Sequence, residues 1–290
     1  MAIVEQPRQI LVTGGAGFIG SHVVKTLRRR YPQTKVRVLH LPKENLFNLR
    51  DVDGVELIAG DVTKQRDVDH AVKGCDVVFH LAAIYALWLP DMTVMDRVNV
   101  EGTRRMLQAC LQAGVKRVVY TSSIAVFAGQ GKGQAATEKS AFQFWDSDYS
   151  RTKYESHIIA QQYAGMGLNV VTVCPALPIG PGDIGPTPTG RLVTEAFKMP
   201  FLLALDSGPS CYIDVRDCAM GHVLALEKGR TGESYILGGE NYDHYEVLSR
   251  LVRLLGLPQK IVPVSLTAVG ASLTAVIVRV TVALFALVTP

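Results

Sequence analysis

A tyrosine and a lysine four positions apart can share one face of a helix. There the ammonium stabilises the phenolate, and the phenol becomes a general acid/base for the proton of a hydroxyl or carbonyl. Bringing a tyrosine from about 10 to near 7 takes roughly 4 kcal/mol of such stabilisation. The 290-residue sequence holds this spacing twice, at Tyr31/Lys35 and Tyr149/Lys153. Tyr31 precedes Pro32 in a segment too short for a helix, so its pair need not share a face. Tyr149 opens a helical stretch that Asp146 or Ser147 can cap. Upstream, an apolar run ends in Thr121-Ser122-Ser123. A hydroxyl at the C-terminal end of a parallel strand lies in the crevice where ligands bind. The expected roles are Ser123 holding a substrate oxygen and Tyr149 exchanging its proton. Ser122 reads as a strand-end cap.

Thr13 to Gly20 (TGGAGFIG) follows an apolar run and opens a helical pattern. Gly15, Gly17 and Gly20 fit GxGxxG, while Gly14, Gly17 and Gly20 fit GxxGxxG. The first glycines let the backbone turn sharply and bring N–H groups beside a pyrophosphate. The last lets helix and strand pack closely, with the phosphate on the positive helix end. This predicts a dinucleotide, whose ribose Lys153 would hold while tuning Tyr149. The acidic residue expected about 20 positions on, for the ribose 2′-hydroxyl, is missing at Leu39-His40-Leu41. That removes repulsion against a 2′-phosphate, for which His40 and Lys43 are candidate binders. The expected cofactor is NADP or NAD, leaning to NADP.

These residues need elements to position them. Apolar runs predict strands at Gln9–Thr13, Lys35–Leu39, Val55–Ile58, Asp76–His80, Val118–Thr121 and Asn169–Cys174. Helical spacing predicts helices at Phe18–Arg30, Asp67–Lys73, Asn99–Ala113 and Ser147–Ala164. Such alternation implies an α/β fold: a Rossmann-type doubly wound parallel sheet covered on both faces. From Pro175 proline and glycine crowd in (PALPIGPGDIGPTPTG), marking a smaller substrate-binding part. The expected domains are 1–174 for the dinucleotide and 175–290 mainly for the substrate, with some of the latter's segments free to return to the first.

Hydrophobic residues make up 48% and charged residues 19%, enough apolar content for a sizeable core. A net charge of +4 without a basic run argues against a nucleic-acid partner. Five cysteines with no CxxC argue for a reducing, cytoplasmic compartment, and seven histidines without ligand spacing predict no metal site. The N-terminus has no signal-peptide layout. Ile261 to Val278 carries no charge and reaches the length at which a membrane span is considered. Ser265, Ser272 and Arg279 recur on one side of a helix and Thr267, Thr274 and Thr281 on roughly the other. That favours a helix packed on the substrate domain or a second subunit, with membrane contact through 261–290 as the other reading.

Together these residues resemble the extended short-chain dehydrogenase/reductase superfamily, from Ile10 to about Gly256. The resemblance implies an adenine-contacting turn at Gly60-Asp61, and thus Asp61 and Val62 as cofactor residues, beside Phe18 and Ile19 of the phosphate loop. It implies a cofactor loop at His80-Leu81-Ala82-Ala83, a nicotinamide-side segment at Cys174-Pro175, and Asn99 as the helix residue that steadies the active site. YALWLP (from Tyr85), NVEGT (from Asn99), GPGDIGPTPTGR (from Gly180) and YILGGEN (from Tyr235) are similar to the hopanoid-associated sugar epimerase group, near the dihydroflavonol 4-reductase-like branch. Two departures are Asp214, where a histidine is common, and Leu41, where the reductase branch usually has an arginine. A homodimer through the helices Asn99–Ala113 and Ser147–Ala164 is also implied.

The substrate side falls to Tyr85, Trp88, Ser123 and Arg191, with core packing as the other reading of Trp88 and a surface ion pair that of Arg191. The first functional expectation is an oxidoreductase moving hydride between a nicotinamide and a secondary alcohol or ketone, its small-molecule substrate. The alternatives are a sugar epimerase or dehydratase that recycles its cofactor within one turnover, and a non-catalytic dinucleotide sensor. Net cofactor consumption separates the first two, and retention of Ser123, Tyr149 and Lys153 weighs against the third.

Overall fold

Each apolar run expected as a strand up to Cys174 forms one. The computed structural model describes residues 6–86, 88–127, 134–141, 147–199, 201–205 and 208–264. Its first strands are β1 (Gln9–Thr13), β2 (Lys35–His40), β3 (Val55–Ala59), β4 (Val77–His80), β5 (Arg117–Thr121) and β6 (Val170–Pro175). Between them lie α1 (Phe18–Arg30), α2 (Gln65–Val72), α3 (Thr93–Met95), α4 (Gly102–Gln112) and α5 (Asp148–Gly165). Asp96–Glu101, joining α3 to α4, is a π-helical turn. Past β6 come β7 (Leu177–Ile179), α6 (Pro188–Ala196), β8 (Phe201–Leu205), β9 (Ser210–Asp214), α7 (Val215–Lys228) and β10 (Ser234–Leu237). The last elements are β11 (Glu240–Tyr242), α8 (His244–Leu255) and β12 (Lys260–Val264).

The main sheet has seven parallel strands in the order β10-β6-β5-β4-β1-β2-β3. Successive strand residues face opposite ways, so both faces need cover. Ile10 and Val12 bury against Val23, Val24 and Leu27 of α1 and Val223 and Leu226 of α7. Leu11 faces the other layer, with Val68 of α2, Met106 and Leu107 of α4, and Ile159 of α5. The order reverses between β1 and β4, and ligands bind at the carboxyl ends of strands at such a switch point.

The described chain packs as two units. The first runs to Pro188 and takes in Ile213–Gly239; the second is Thr189–Tyr212 with the described residues from Glu240. The composition change at Pro175 therefore lies inside the first unit. β10 returns because its residues pair with Thr172–Pro175 of β6, the open edge of the sheet. In the second unit β8 pairs with β12 in parallel, over Ala196, Leu202, Ala204 and Leu248. Its helix α8 starts on the Asp243 side chain and stops at Gly256, whose φ of 62° suits glycine.

The helical reading of the apolar tail is corrected at its start: 261–264 extend along β8 as part of β12. The remainder, 265–290, lies outside the described residues, as does Asp146. Among the described residues no helix is long and apolar enough to cross a membrane.

Candidate active site

Four strand ends of the first unit bring the expected residues to one edge. After β1, the chain turns at Gly14, where φ is 66°. A Cβ there would come 2.9 Å from the Ala82 nitrogen, just past β4, so only glycine fits the close approach. A Cβ at Gly20 would overlap the Gly14 carbonyl oxygen, and one at Gly15 would press on Val38. Gly17 is the N-cap of α1 and offers no side-chain cap; the first turn carries no acidic residue. The N–H groups of Phe18, Ile19 and Gly20 thus start a helix whose positive end is left to a ligand. This glycine cradle fits a dinucleotide pyrophosphate, and Gly14, Gly17, Phe18, Ile19 and Gly20 are the residues to hold it.

The flanking cofactor positions follow the same edge. Leu81 and Ala82 are tied to β1: Leu81 N donates to the Thr13 carbonyl at 3.2 Å and Ala82 N to Thr13 Oγ1 at 3.1 Å. Ala83 is exposed beside them. Asp61 accepts from Thr63 N and Oγ1, both at 2.8 Å, which fixes the turn before α2, while Val62 is buried in the core. Pro175 is buried at the end of β6.

The end of β2 carries the two basic candidates. His40 Nδ1 donates to the Leu41 carbonyl at 2.9 Å, and Lys43 is exposed. Three residues past Leu41, Glu44 folds back and accepts from Leu41 N at 2.9 Å.

The candidate catalytic cluster sits on β5 and α5. Ser147, not a residue inside the helix, starts α5: its hydroxyl accepts from Ser150 N, and the Ser150 hydroxyl reaches back to the Ser147 N–H. That sets Tyr149 in the first turn. Ser123, just past β5, accepts from Ala125 N at 3.1 Å and acts on the Tyr149 phenol by favouring its ionised form. Lys153, one turn on, is buried, and its Nζ donates to the Thr121 carbonyl at 2.7 Å and lies 5.3 Å from the Tyr120 ring centre. Burial lowers its amine to about 8, opposed by Cys174, so it is mostly protonated at neutral pH.

One expectation is reversed. Burial raises the Tyr149 phenol above its ordinary value; the Ser123 hydrogen bond opposes that rise, and Tyr85 adds to it. The lysine's hydrogen bond goes to the strand carbonyl, and burial is the largest influence on the phenol.

Asn99 is the hub of a hydrogen-bond network. Its Oδ1 accepts from Ile84 N at 2.7 Å; its Nδ2 donates to Ile84 O and to Thr152 Oγ1, both at 3.1 Å. Thr152 in turn donates to the Tyr149 carbonyl at 3.0 Å. Asn99 therefore ties the segment before Tyr85 to the turn that carries Tyr149. Below it, Thr103 donates to Asn99 O at 2.6 Å, leaving its oxygen to accept from His80 Nε2 at 3.1 Å. His80 Nδ1 must then accept from Thr13 Oγ1 at 2.8 Å, which fixes a neutral ring. Burial lowers it to about 3, with the Lys153 charge adding to the effect. Sequence reading placed His80 at the end of a strand and the start of the cofactor loop; its buried pairing with Thr13 and Thr103 comes from the fold.

Of the substrate candidates, Tyr85 is brought to the site, with its ring centre 4.7 Å from that of Tyr149. Trp88 is 73% exposed, which removes its core-packing reading. Arg191 is exposed on α6 in the second unit.

A profile of the NAD dependent epimerase/dehydratase family matches residues 10–238. The chain belongs to that family. Relatives of this epimerase/dehydratase chain include a protein named putative dihydroflavonol 4-reductase from Synechocystis, 38% identical, covering 85% of this chain and 72% of that one. Another is named sterol demethylase protein B, from Methylococcus capsulatus, 32% identical over 86% of this chain and 75% of its own. Among solved structures, a dTDP-glucose 4,6-dehydratase from Streptomyces venezuelae with NAD bound superposes with a TM-score of 0.80. It is 29% identical and covers 89% of this chain and 84% of that one. The extended short-chain dehydrogenase/reductase resemblance and the Rossmann-type fold stand, and the epimerase/dehydratase chain is an enzyme of an NAD-dependent family.

Proposed function

We propose that this enzyme interconverts a secondary alcohol and a ketone by hydride transfer, with Tyr149 as general acid/base. The observation that carries the reading is the placement of Ser123 at the end of β5 and of Tyr149 and buried Lys153 one turn apart on α5, at the strand ends that also carry the glycine cradle. A nicotinamide held along that edge supplies or accepts the hydride. In reduction, the Tyr149 phenol gives its proton to the carbonyl oxygen while the Ser123 hydroxyl donates a hydrogen bond to the same oxygen. The raised affinity of Tyr149 for its proton suits a donor poised to protonate an alkoxide. Lys153, held by the Thr121 carbonyl, keeps a positive charge beside the cluster that favours the phenolate once the proton has left.

The Tyr85 ring gives the reacting phenol an aromatic wall, which favours a ring-bearing, largely apolar ketone. The names of the Synechocystis and Methylococcus relatives support that substrate class. The likeness to an NAD-bound sugar dehydratase supports the second reading, a nucleotide-sugar epimerase or dehydratase. The test is to follow nicotinamide absorbance with a panel of cyclic aromatic ketones, steroid ketones and nucleotide sugars. Stoichiometric oxidation of the reduced cofactor by a ketone is expected. Conversion of a nucleotide sugar without net cofactor change would replace this reading by the second.

A further inference from the structure

We propose that His157 is a positioning residue for Ser123. It grips the residue before the Ser123 turn and the ring that follows it, and so sets the serine hydroxyl for the substrate oxygen. The inference rests on the reading of Ser123 as the residue that meets that oxygen.

Tyr149, Lys153 and His157 stand four apart on α5 and share its face. His157 is the member that the proposed chemistry leaves unused, and it is buried. The last residues of β5 meet that face. Strand alternation turns Tyr120 and Ser122 toward α5 and Thr121 toward α7. Accordingly the Tyr120 hydroxyl donates to Ser156 Oγ at 2.7 Å, while Thr121 Oγ1 pairs with His222 of α7 at 3.1 Å. Ser122 Oγ lies 2.9 Å from His157 Nδ1.

The direction of that last bond is fixed. Burial first, and then the Lys153 charge, lower His157 to about 4, so its ring is neutral at pH 7. Gln161 Nε2 donates to His157 Nε2 at 3.3 Å, and an amide nitrogen only donates. The ring proton therefore sits on Nδ1 and goes to Ser122. The Ser234 hydroxyl of β10 reaches the same Nε2 at 3.3 Å. Ser122 N in turn donates to the Val173 carbonyl of β6 at 2.7 Å. The residue before Ser123 is thus pinned through its backbone to β6 and through its side chain to α5.

Past Ser123 the chain makes one short turn, Ile124–Val126, and Phe127 comes back onto His157. The two rings meet edge to face, with centres 6.3 Å apart and planes at 81°. One imidazole therefore holds both ends of the turn that presents Ser123. A hydrogen bond to a developing alkoxide is sensitive to small displacements of its donor, so loosening either end costs rate before it costs fold.

The experiment measures kcat on a ketone from the panel above, and NADH affinity by nicotinamide fluorescence. The proteins are the parent, Ser123→Ala, Ser122→Ala, His157→Leu, His157→Asn and the double variant Ser123→Ala/His157→Leu. His157→Leu keeps a buried side chain of similar size. It is expected to lower kcat at least about tenfold, with NADH affinity within about twofold of the parent's. His157→Asn can donate to Ser122 from the place of Nδ1 and is expected to recover most of the rate, although it packs less well. If His157 served only to fill the core, leucine would outperform asparagine in kcat, and that order would overturn the proposal. The double variant is expected to be no slower than Ser123→Ala alone, because an effect exerted through Ser123 cannot be lost twice. Losses that multiply, or a parent-like kcat in His157→Leu, would overturn it as well. Should His157→Leu not fold, Ser122→Ala decides: a lowered kcat with NADH affinity kept is expected, and the parent's rate would count against the proposal. A Ser123→Ala protein with the parent's kcat would instead bring down the reading of Ser123, and the role of His157 with it.

Discussion

The same Tyr-x-x-x-Lys spacing occurs at Tyr31/Lys35 and at Tyr149/Lys153, and the two become different objects. Tyr31 is the C-cap of α1, and its hydroxyl donates to Glu227 at 2.9 Å, beside the Arg30–Glu227 ion pair. Lys35 opens β2 and is exposed. Burial and then the Glu227 hydrogen bond push the Tyr31 phenol up to about 12. Tyr149 and Lys153 instead share α5, and the partner of the phenol is a hydroxyl at a strand end. A carboxylate partner locks a phenol as donor; a serine leaves it free to give or take a proton. The spacing carries chemistry only where a helix puts both side chains on one face.

The largest expected contrast is in turnover. Tyr149→Phe should lower kcat about 10²–10⁴-fold with folding intact, while Tyr31→Phe leaves kcat unchanged. Steady-state kinetics on one ketone substrate checks both, and equal losses would erase the distinction drawn here. Lys153→Met should cost at least about tenfold in kcat, with an altered pH–rate profile, while Lys35→Met should not alter turnover.

Stability against pH separates the regions next. Burial lowers His80 to about 3, and His157 and His222 to about 4; the Lys153 charge adds to the lowering at His80 and His157. Folded, these rings stay neutral while the unfolded chain takes up protons below 6.5. Stability is therefore fully present above that value and lost as pH falls, by roughly 2 kcal/mol per histidine at pH 5. The Tyr31 side behaves otherwise. Glu227 is held below its ordinary 4.5, first by Arg30, so its contribution is lost only as pH falls below that value. Urea midpoints from pH 7.5 to 4.5 should fall for the parent protein and fall less for Lys153→Met, which no longer holds His80 and His157 down. The smallest effect is Tyr31→Phe on stability, a loss of about 1 kcal/mol for one hydrogen bond, read by urea unfolding.

Six strands, the main helices and the glycine cradle were legible because each rests on local pattern: apolar runs, a 3.6 period, and glycines where a Cβ would collide. Gly14 needs its positive φ and its contact with Ala82, and the sequence announces both through the residue type. Tyr149 and Ser123 were legible for a similar reason, since strand ends and helix starts are marked by Ser122-Ser123 and Ser147. The seventh strand was not: Ser234–Leu237 is four residues long and gains its place only by pairing with β6.

The sequence by itself determined that a phosphate-binding turn and a phenol–amine pair stand on a doubly wound sheet. Tertiary structure decided which partner each group meets. It gave Tyr31 to Glu227, buried Tyr149 against Tyr85, turned Lys153 toward the Thr121 carbonyl, and fixed the tautomer of His80 through Thr13 and Thr103. It also brought Glu44 back to the end of β2. Residue type and spacing fix what a group can do. Its proton affinity and charge depend on burial and on neighbours far away in the chain, which only packing brings within hydrogen-bond reach.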